Sequence, residues 1–356
     1  LREERVMPKD TKTLDFGLNA LRGFAILLVV IYHAVLLAPP GSHPLYLEFQ
    51  VFIRYMPLPL FTALSGYLYA IRRTERGTIG KSIRVKARRL LFPLFSATTL
   101  MLLMRAVMPG ANQVPDGADV LRAYFFRFEH LWYLQALFLI FVVIALIDGF
   151  DVIQSVRGWF ALLVVWSAVS LVIPLNAFFG YAGLVQLMPF FLFGYGLRRW
   201  PDLLNASRVT LLAWAIFLIG MLLLEFDFHG VLPLPDLLVE RTSVLNLAAG
   251  CAFCFLCVRY RRDVPGLSVI GVFSFSIYIF HTIGMAVANR VAGLTPWDEG
   301  FEGLVTLKIL LGVFLPILME LIIRRSAVLR TLFLGDTWKW QRPAFLQKTK
   351  SAPVEQ

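Results

Sequence analysis

Long apolar runs separated by short polar breaks dominate the chain. Ten of them approach the length of a membrane-crossing helix: 18–38, 50–71, 90–108, 131–148, 159–175, 183–197, 209–224, 242–259, 267–290 and 304–323. The breaks alternate in charge. Arg2, Arg5, Lys9 and Lys12 precede the first run, and the second break holds Arg72, Arg73, Arg76, Lys81, Arg84, Lys86, Arg88 and Arg89. Arg157, then Arg198, Arg199 and Arg208, then Arg259, Arg261 and Arg262 continue the series, and a basic tail follows the last run. The breaks at 39–49, 176–182 and 291–303 contain no lysine or arginine. Basic loops stay in the cytoplasm, so both termini are expected there, and only an even number of spans keeps every loop consistent. The pattern predicts an all-α polytopic membrane helix bundle of about ten transmembrane helices.

Composition agrees. The 356 residues are 58% hydrophobic and 16% charged, whereas soluble domains are about half apolar and about a quarter charged. An ordinary soluble domain is excluded. The net charge of +11 is spread as topology-setting clusters, so no nucleic-acid partner is expected. The first run is too long for a signal-peptide core and lacks a small-residue cleavage site. The expected organisation is a cytoplasmic tail over 1–13, a membrane domain over 14–323 and a second cytoplasmic tail over 324–356. No soluble domain is expected to be appended, and no internal repeat is visible. Cys251, Cys254 and Cys257 share one apolar run, which reads as core packing rather than redox chemistry, and no metal site is expected. The sequon Asn205-Ala206-Ser207 falls in a predicted cytoplasmic loop, where it cannot be glycosylated. That fits a bacterial inner membrane.

The candidate chemistry starts in "LRGFAILLVVIYH" at 21–33. Arg22 and His33 are eleven residues apart, about three helical turns and ~16 Å, so they share a face. A fixed cation then lies near the cytoplasmic surface and an acid–base group toward the outer side. Ionisable groups at such depth are functional candidates; the bland alternative is a snorkelling arginine and a carbonyl-bonded histidine. His281, in the ninth run, falls at the height of His33. Glu129 and His130 mark the outer rim of the fourth run, beside the interface aromatics Trp132 and Tyr133. Ser65 and Gly66 lie at the depth of Arg22, where a small pair admits a neighbouring helix or a ligand. Arg88 and Arg89 stand at the predicted cytoplasmic mouth, and guanidinium forks suit phosphate oxygens. Glu320 is expected to pair with Arg324 one turn on. His43 and His229 fall in outer loops and receive no role. A basic inner mouth and a deeper histidine suit an enzyme that draws an activated phosphorylated donor from the cytoplasm and serves an outer acceptor.

The stretch "LDFGLNALRGFAILLVVIYH", with its R-x10-H spacing, resembles the first helix of the acyltransferase family 3 membrane proteins. "LSGYL" at 64–68, "RRLLFP" at 88–93, "HLWYL" at 130–134 and "FSIYIFH" at 275–281 follow in the family's order. The resemblance spans about residues 14–323. One departure is "FGLNA" between Asp15 and Leu21, where the family usually has a shorter spacing; it touches the placement of Asp15 and leaves Arg22 and His33 in register.

The resemblance implies transfer of an acyl group, usually acetyl from acetyl-CoA, to a hydroxyl of an extracytoplasmic glycan, with no permanently bound cofactor. It implies that His33 is essential as general base and that Arg22 supports it or the donor. On this reading Arg88, Arg89, Arg72, Arg73 and Ser65 serve the donor, Glu129 and His281 assist His33, and His130, Trp132 and Tyr133 meet the acceptor. The leading acceptor is a cell-surface or exported polysaccharide or its lipid-linked repeat unit, with polysaccharide synthesis or export machinery and membrane lipids as partners. Succinyl transfer to a periplasmic glucan and acylation of a small molecule also belong to the family's range. The competing class is a transporter of a lipid-linked sugar or anion. It explains the basic mouth but not the ordered motifs, and no pseudo-symmetry between halves is visible. A purely structural scaffold leaves Arg22 and His33 without a reason.

Overall fold

The computed structural model describes residues 16–36, 53, 56–107, 117–205, 207–235, 243–294 and 300–337. These residues form helices joined by short connections, and among them there is no strand. In chain order the helices are α1 (Phe16–Leu36), α2 (Pro57–Tyr69), α3 (Ile79–Val107), α4 (Gly117–Phe125), α5 (Trp132–Gly149), α6 (Val156–Val172) and α7 (Tyr181–Arg199). Then come α8 (Asp202–Asn205), α9 (Ser207–Phe228), α10 (Val244–Arg259), α11 (Pro265–Val272), α12 (Ser274–Leu294), α13 (Gly300–Ile323) and α14 (Ala327–Leu334). Every predicted apolar run overlaps at least one helix. Among the described residues, seven helices are long and apolar enough to cross a membrane, and the helices at 156–172 and 244–259 are apolar but shorter. The chain is a polytopic helical membrane bundle. Asp15, His43, residues 1–13 and the tail beyond 337 lie outside the described residues.

Two predicted boundaries are corrected. The third run was expected to begin at 90, but its helix begins at Ile79. "KSIRVKARR" contains strong helix formers, so the helix continues beyond the apolar stretch. Arg88 and Arg89 are therefore helical residues rather than loop residues. The ninth run is expected as one helix over 267–290, yet it is two, separated at Phe273. Gly271 and the nearby Ser274 and Ser276 are the kind of small, polar positions at which helices break.

Backbone contact at glycines fixes the packing. At the crossing of α2 and α7, Gly66 faces the Phe191 carbonyl and Gly194 faces the Ala63 carbonyl; a Cβ at either position would overlap those atoms. At the crossing of α1 and α11, Gly23 faces the Leu267 carbonyl and Gly271 faces the Asn19 carbonyl. Apolar packing drives no helix association inside lipid, so such close van der Waals fits carry it. Ser65 donates its hydroxyl to the Phe61 carbonyl of its own helix at 2.9 Å. The Ser65–Gly66 pair thus admits a neighbouring helix through its glycine.

The main core lies among α1, α3, α5, α7 and α12, around Ile26, Val30, Leu94, Ile140, Phe191 and Phe280. Cys254 is buried in a second cluster with Leu60, Leu64 and Phe255, and the three thiols are free. By contrast α6 and α9 expose large apolar side chains such as Phe160, Val165, Leu211 and Leu218, as lipid-facing helices do. Glu320 and Arg324 pair as expected, Arg324 Nε donating to Glu320 Oε1 at 2.7 Å. His229 bonds Glu225 at 3.1 Å at an exposed position.

Candidate functional site

Three of the five histidines meet at one end of the bundle. His33 comes from the last turn of α1, His130 from the turn before α5, and His281 from the second turn of α12. Their ring centroids are 5.0 Å apart for His33 and His281, 4.5 Å for His130 and His281, and 6.3 Å for His33 and His130. His33 is half-buried, while His130 and His281 are buried.

Backbone carbonyls fix the protonation of each ring. His33 Nδ1 lies 2.8 Å from the Val29 carbonyl one turn back. His130 Nε2 lies 3.1 Å from the Ile279 carbonyl. His281 Nδ1 lies 2.8 Å from the Tyr278 carbonyl and 3.1 Å from that of Ile277. A carbonyl only accepts, so the nitrogen facing it carries the hydrogen. The neutral rings consequently present bare lone pairs at His33 Nε2, His130 Nδ1 and His281 Nε2. The last two are buried and have no hydrogen-bond partner among the described residues. Among the described residues no group of three histidine, cysteine or carboxylate side chains has the geometry to hold a metal ion.

Tyrosines build the wall behind the cluster. Tyr278 donates its hydroxyl to the His130 carbonyl, and its ring packs against His130 and Tyr133 at 5.3 and 5.6 Å. Tyr133 is buried, with its hydroxyl 3.2 Å from Thr62 Oγ1 on α2. Trp132 points elsewhere: Gly183 of α7 packs against it and the Arg127 guanidinium lies over its ring at 4.9 Å. Glu129 forms an ion pair with Arg105 at the rim of α3, partly exposed. Of the residues singled out in the sequence, His33, His130, His281 and Tyr133 are brought together, while Trp132 and Glu129 flank them.

Arg22 sits eleven residues below His33 on α1, half-buried, and no carboxylate among the described residues pairs with it. Arg72, Arg73 and Arg89 are exposed. Arg88 is half-buried, and its Nε donates to the Gly335 carbonyl at 3.0 Å. Gly335 ends α14 with φ of 63° and lies against the backbone of Arg88 and Arg89. The Arg88 side chain thus clamps the C-terminal helix to α3.

A second polar centre, missed in the sequence, occupies the opposite end of α5. Asp148 is buried; Tyr195 donates to its Oδ1 at 2.8 Å, and Arg73 lies 4.0 Å from the same oxygen. Arg199 donates to the Tyr195 hydroxyl at 3.0 Å. A carboxylate inside an apolar helix is itself a signal, and "LIDGF" carried it. Lys308, buried on α13, is another such signal. Tyr195→Phe removes a 2.8 Å hydrogen bond from a buried carboxylate. A loss of about 1–3 kcal/mol of stability is expected, read as a lowered thermal unfolding midpoint of the detergent-solubilised protein.

The family model described as an acyltransferase domain, that of acyltransferase family 3, matches residues 15–325. No curated protein and no solved structure matches the chain.

Proposed function

The chain belongs to acyltransferase family 3, its membrane bundle being an acyltransferase domain almost throughout, and from that premise we propose that it moves an acetyl group from cytoplasmic acetyl-CoA to a hydroxyl of an exported or cell-surface glycan at the bacterial inner membrane. The observation that carries this reading is the state of His33. With Nδ1 donating to the Val29 carbonyl, its Nε2 holds a bare lone pair at a half-buried position. That is what a general base requires.

The exposed guanidinium groups of Arg72, Arg73 and Arg89 receive the phosphates of the donor. Arg22, half-buried and ~16 Å along α1 from His33, supplies positive charge between those groups and the base. The acceptor hydroxyl approaches His33 from the opposite side of the membrane. His33 Nε2 takes the hydroxyl proton as the oxygen attacks the thioester carbonyl. The tetrahedral intermediate then collapses, the carbon–sulfur bond breaks, and the imidazolium returns the proton to the departing thiolate. The products are the O-acetyl ester and free CoA. Arg88 is tied to Gly335 and so contributes less to the donor than its neighbours. Tyr133 and Tyr278 shape the wall behind the acceptor.

Mass spectrometry of surface glycans tests the reading. Cells carrying the wild-type chain are expected to show acetyl mass increments on a surface polysaccharide, and a deletion strain to lack them. Succinyl increments in their place would reassign the donor. Identical spectra from the two strains would remove the glycan acceptor from the proposal.

A further inference from the structure

Two buried lone pairs remain unexplained by a single catalytic base. His281 Nε2 and His130 Nδ1 are buried and have no donor among the described residues. Leaving a buried acceptor unsatisfied is costly, because its lost water contacts are not replaced. Their rings are the closest pair in the cluster, with centroids 4.5 Å apart. One added proton resolves both deficits at once: an N–H on His281 Nε2 can donate to His130 Nδ1. His281 is also the nearer of the two to His33, at 5.0 Å against 6.3 Å. The spacings therefore set an order, His33, then His281, then His130.

We propose that His281 and His130 form a proton-holding pair for the base: the proton that His33 takes from the acceptor hydroxyl is passed to His281 Nε2 and shared with His130 Nδ1 until the thiolate leaves. The proposal rests on the acyl-transfer reading. The acceptor O–H bond breaks, and the proton moves first to His33 Nε2 and then to His281 Nε2. His33 returns to its neutral form with the Val29 bond intact. The same proton goes back through His33 to the CoA sulfur, and no other reactant is needed. Burial keeps the held proton from exchanging with water. It also limits the cluster to a single extra proton, because a second imidazolium at this spacing is strongly repelled.

The other titratable groups around the pair are accounted for. On α1 the Tyr32 ring edges onto His33 at 5.4 Å. Tyr133 of α5 and Tyr278 of α12 have their hydroxyls engaged by Thr62 and the His130 carbonyl. Glu129 is neutralised by Arg105 of α3. On α13, Gly312 lies against Val30 and the His281 carbonyl, which puts the buried Lys308 one turn further along that helix.

The test measures acetyl transfer from acetyl-CoA to surface glycan in membrane vesicles containing the full chain, across a pH series. His281→Gln and His130→Asn keep polar side chains of similar size but cannot carry the proton. Either is expected to lower kcat about tenfold or more with little change in KM, and to move the acidic limb of the pH profile. Paired with His33→Ala, His281→Gln should add almost nothing further. Unchanged kcat in both variants overturns the proposal. So does a fall in kcat with an unmoved acidic limb, which marks a structural role only. If wild-type vesicles transfer no acetyl group, or His33→Ala remains fully active, it is the underlying reading of the reaction or of His33 that fails.

Discussion

Replacing His33 with alanine is expected to remove most of the acyl transfer while the protein stays folded. The expected fall in kcat is about a hundred- to ten-thousand-fold, the range a positioned general base supplies. The side chain sits in the last turn of α1, half-buried, and among the described residues it hydrogen-bonds its own helix through the Val29 carbonyl. Its removal leaves the core residues Ile26, Val29 and Val30 in place. Stability should therefore hardly move, which separates this variant from a misfolded one. His33→Gln sharpens the result. Glutamine can still donate to the carbonyl but cannot take a proton, so it should be as inactive as alanine. The check is initial rate with radiolabelled acetyl-CoA, beside the thermal midpoint of each purified variant. Wild-type rates in His33→Gln would remove proton abstraction from this residue.

The largest structural effect is expected at the crossing of α2 and α7. Gly66→Val or Gly194→Val places carbon atoms where the Phe191 or Ala63 carbonyl already sits. Overpacking of a core side chain costs about 1–3 kcal/mol because neighbours can shift. Here the obstacle is the backbone of a packed helix, so the loss should reach or exceed about 3 kcal/mol. The thermal midpoint in detergent should collapse, and Cys254, buried beside Leu60 and Leu64, should become reactive to a thiol reagent at lower temperature. Gly293→Ala is the control. It lies on α12 with open space around it, and alanine there should be neutral or stabilise by up to about 1 kcal/mol.

Much of this was legible before any coordinates. Hydropathy located the membrane helices because lipid imposes one length and one composition on them. Helical periodicity placed Arg22 and His33 on one face, and counting along the ninth run put His281 at the height of His33. The union of His130 with them was less accessible. It depends on the turn before α5 reaching the carbonyl of Ile279, 149 positions later. The Arg88 clamp links residues 247 apart and has no local signature at all. Arg88 therefore read as a phosphate ligand. Asp148 was visible as a carboxylate in an apolar helix, but its partner Tyr195 lies on another helix. Such pairings are tertiary facts, and periodicity within one helix carries no trace of them.

The crossing of α1 and α11 has a geometric consequence. Gly23 and Gly271 touch each other's helices, and each lies ten residues before a histidine of the cluster, His33 and His281. On α1 the ten residues are continuous helix and carry His33 ~15 Å above the contact, whereas the other ten pass through the break at Phe273 before reaching His281 on α12. The contact works as the zero of a calliper with one straight arm and one jointed arm. One residue inserted between Gly23 and His33 would displace that imidazole by ~1.5 Å and turn it by about 100°. The straight arm tolerates many side chains between datum and jaw, but not a change in their number.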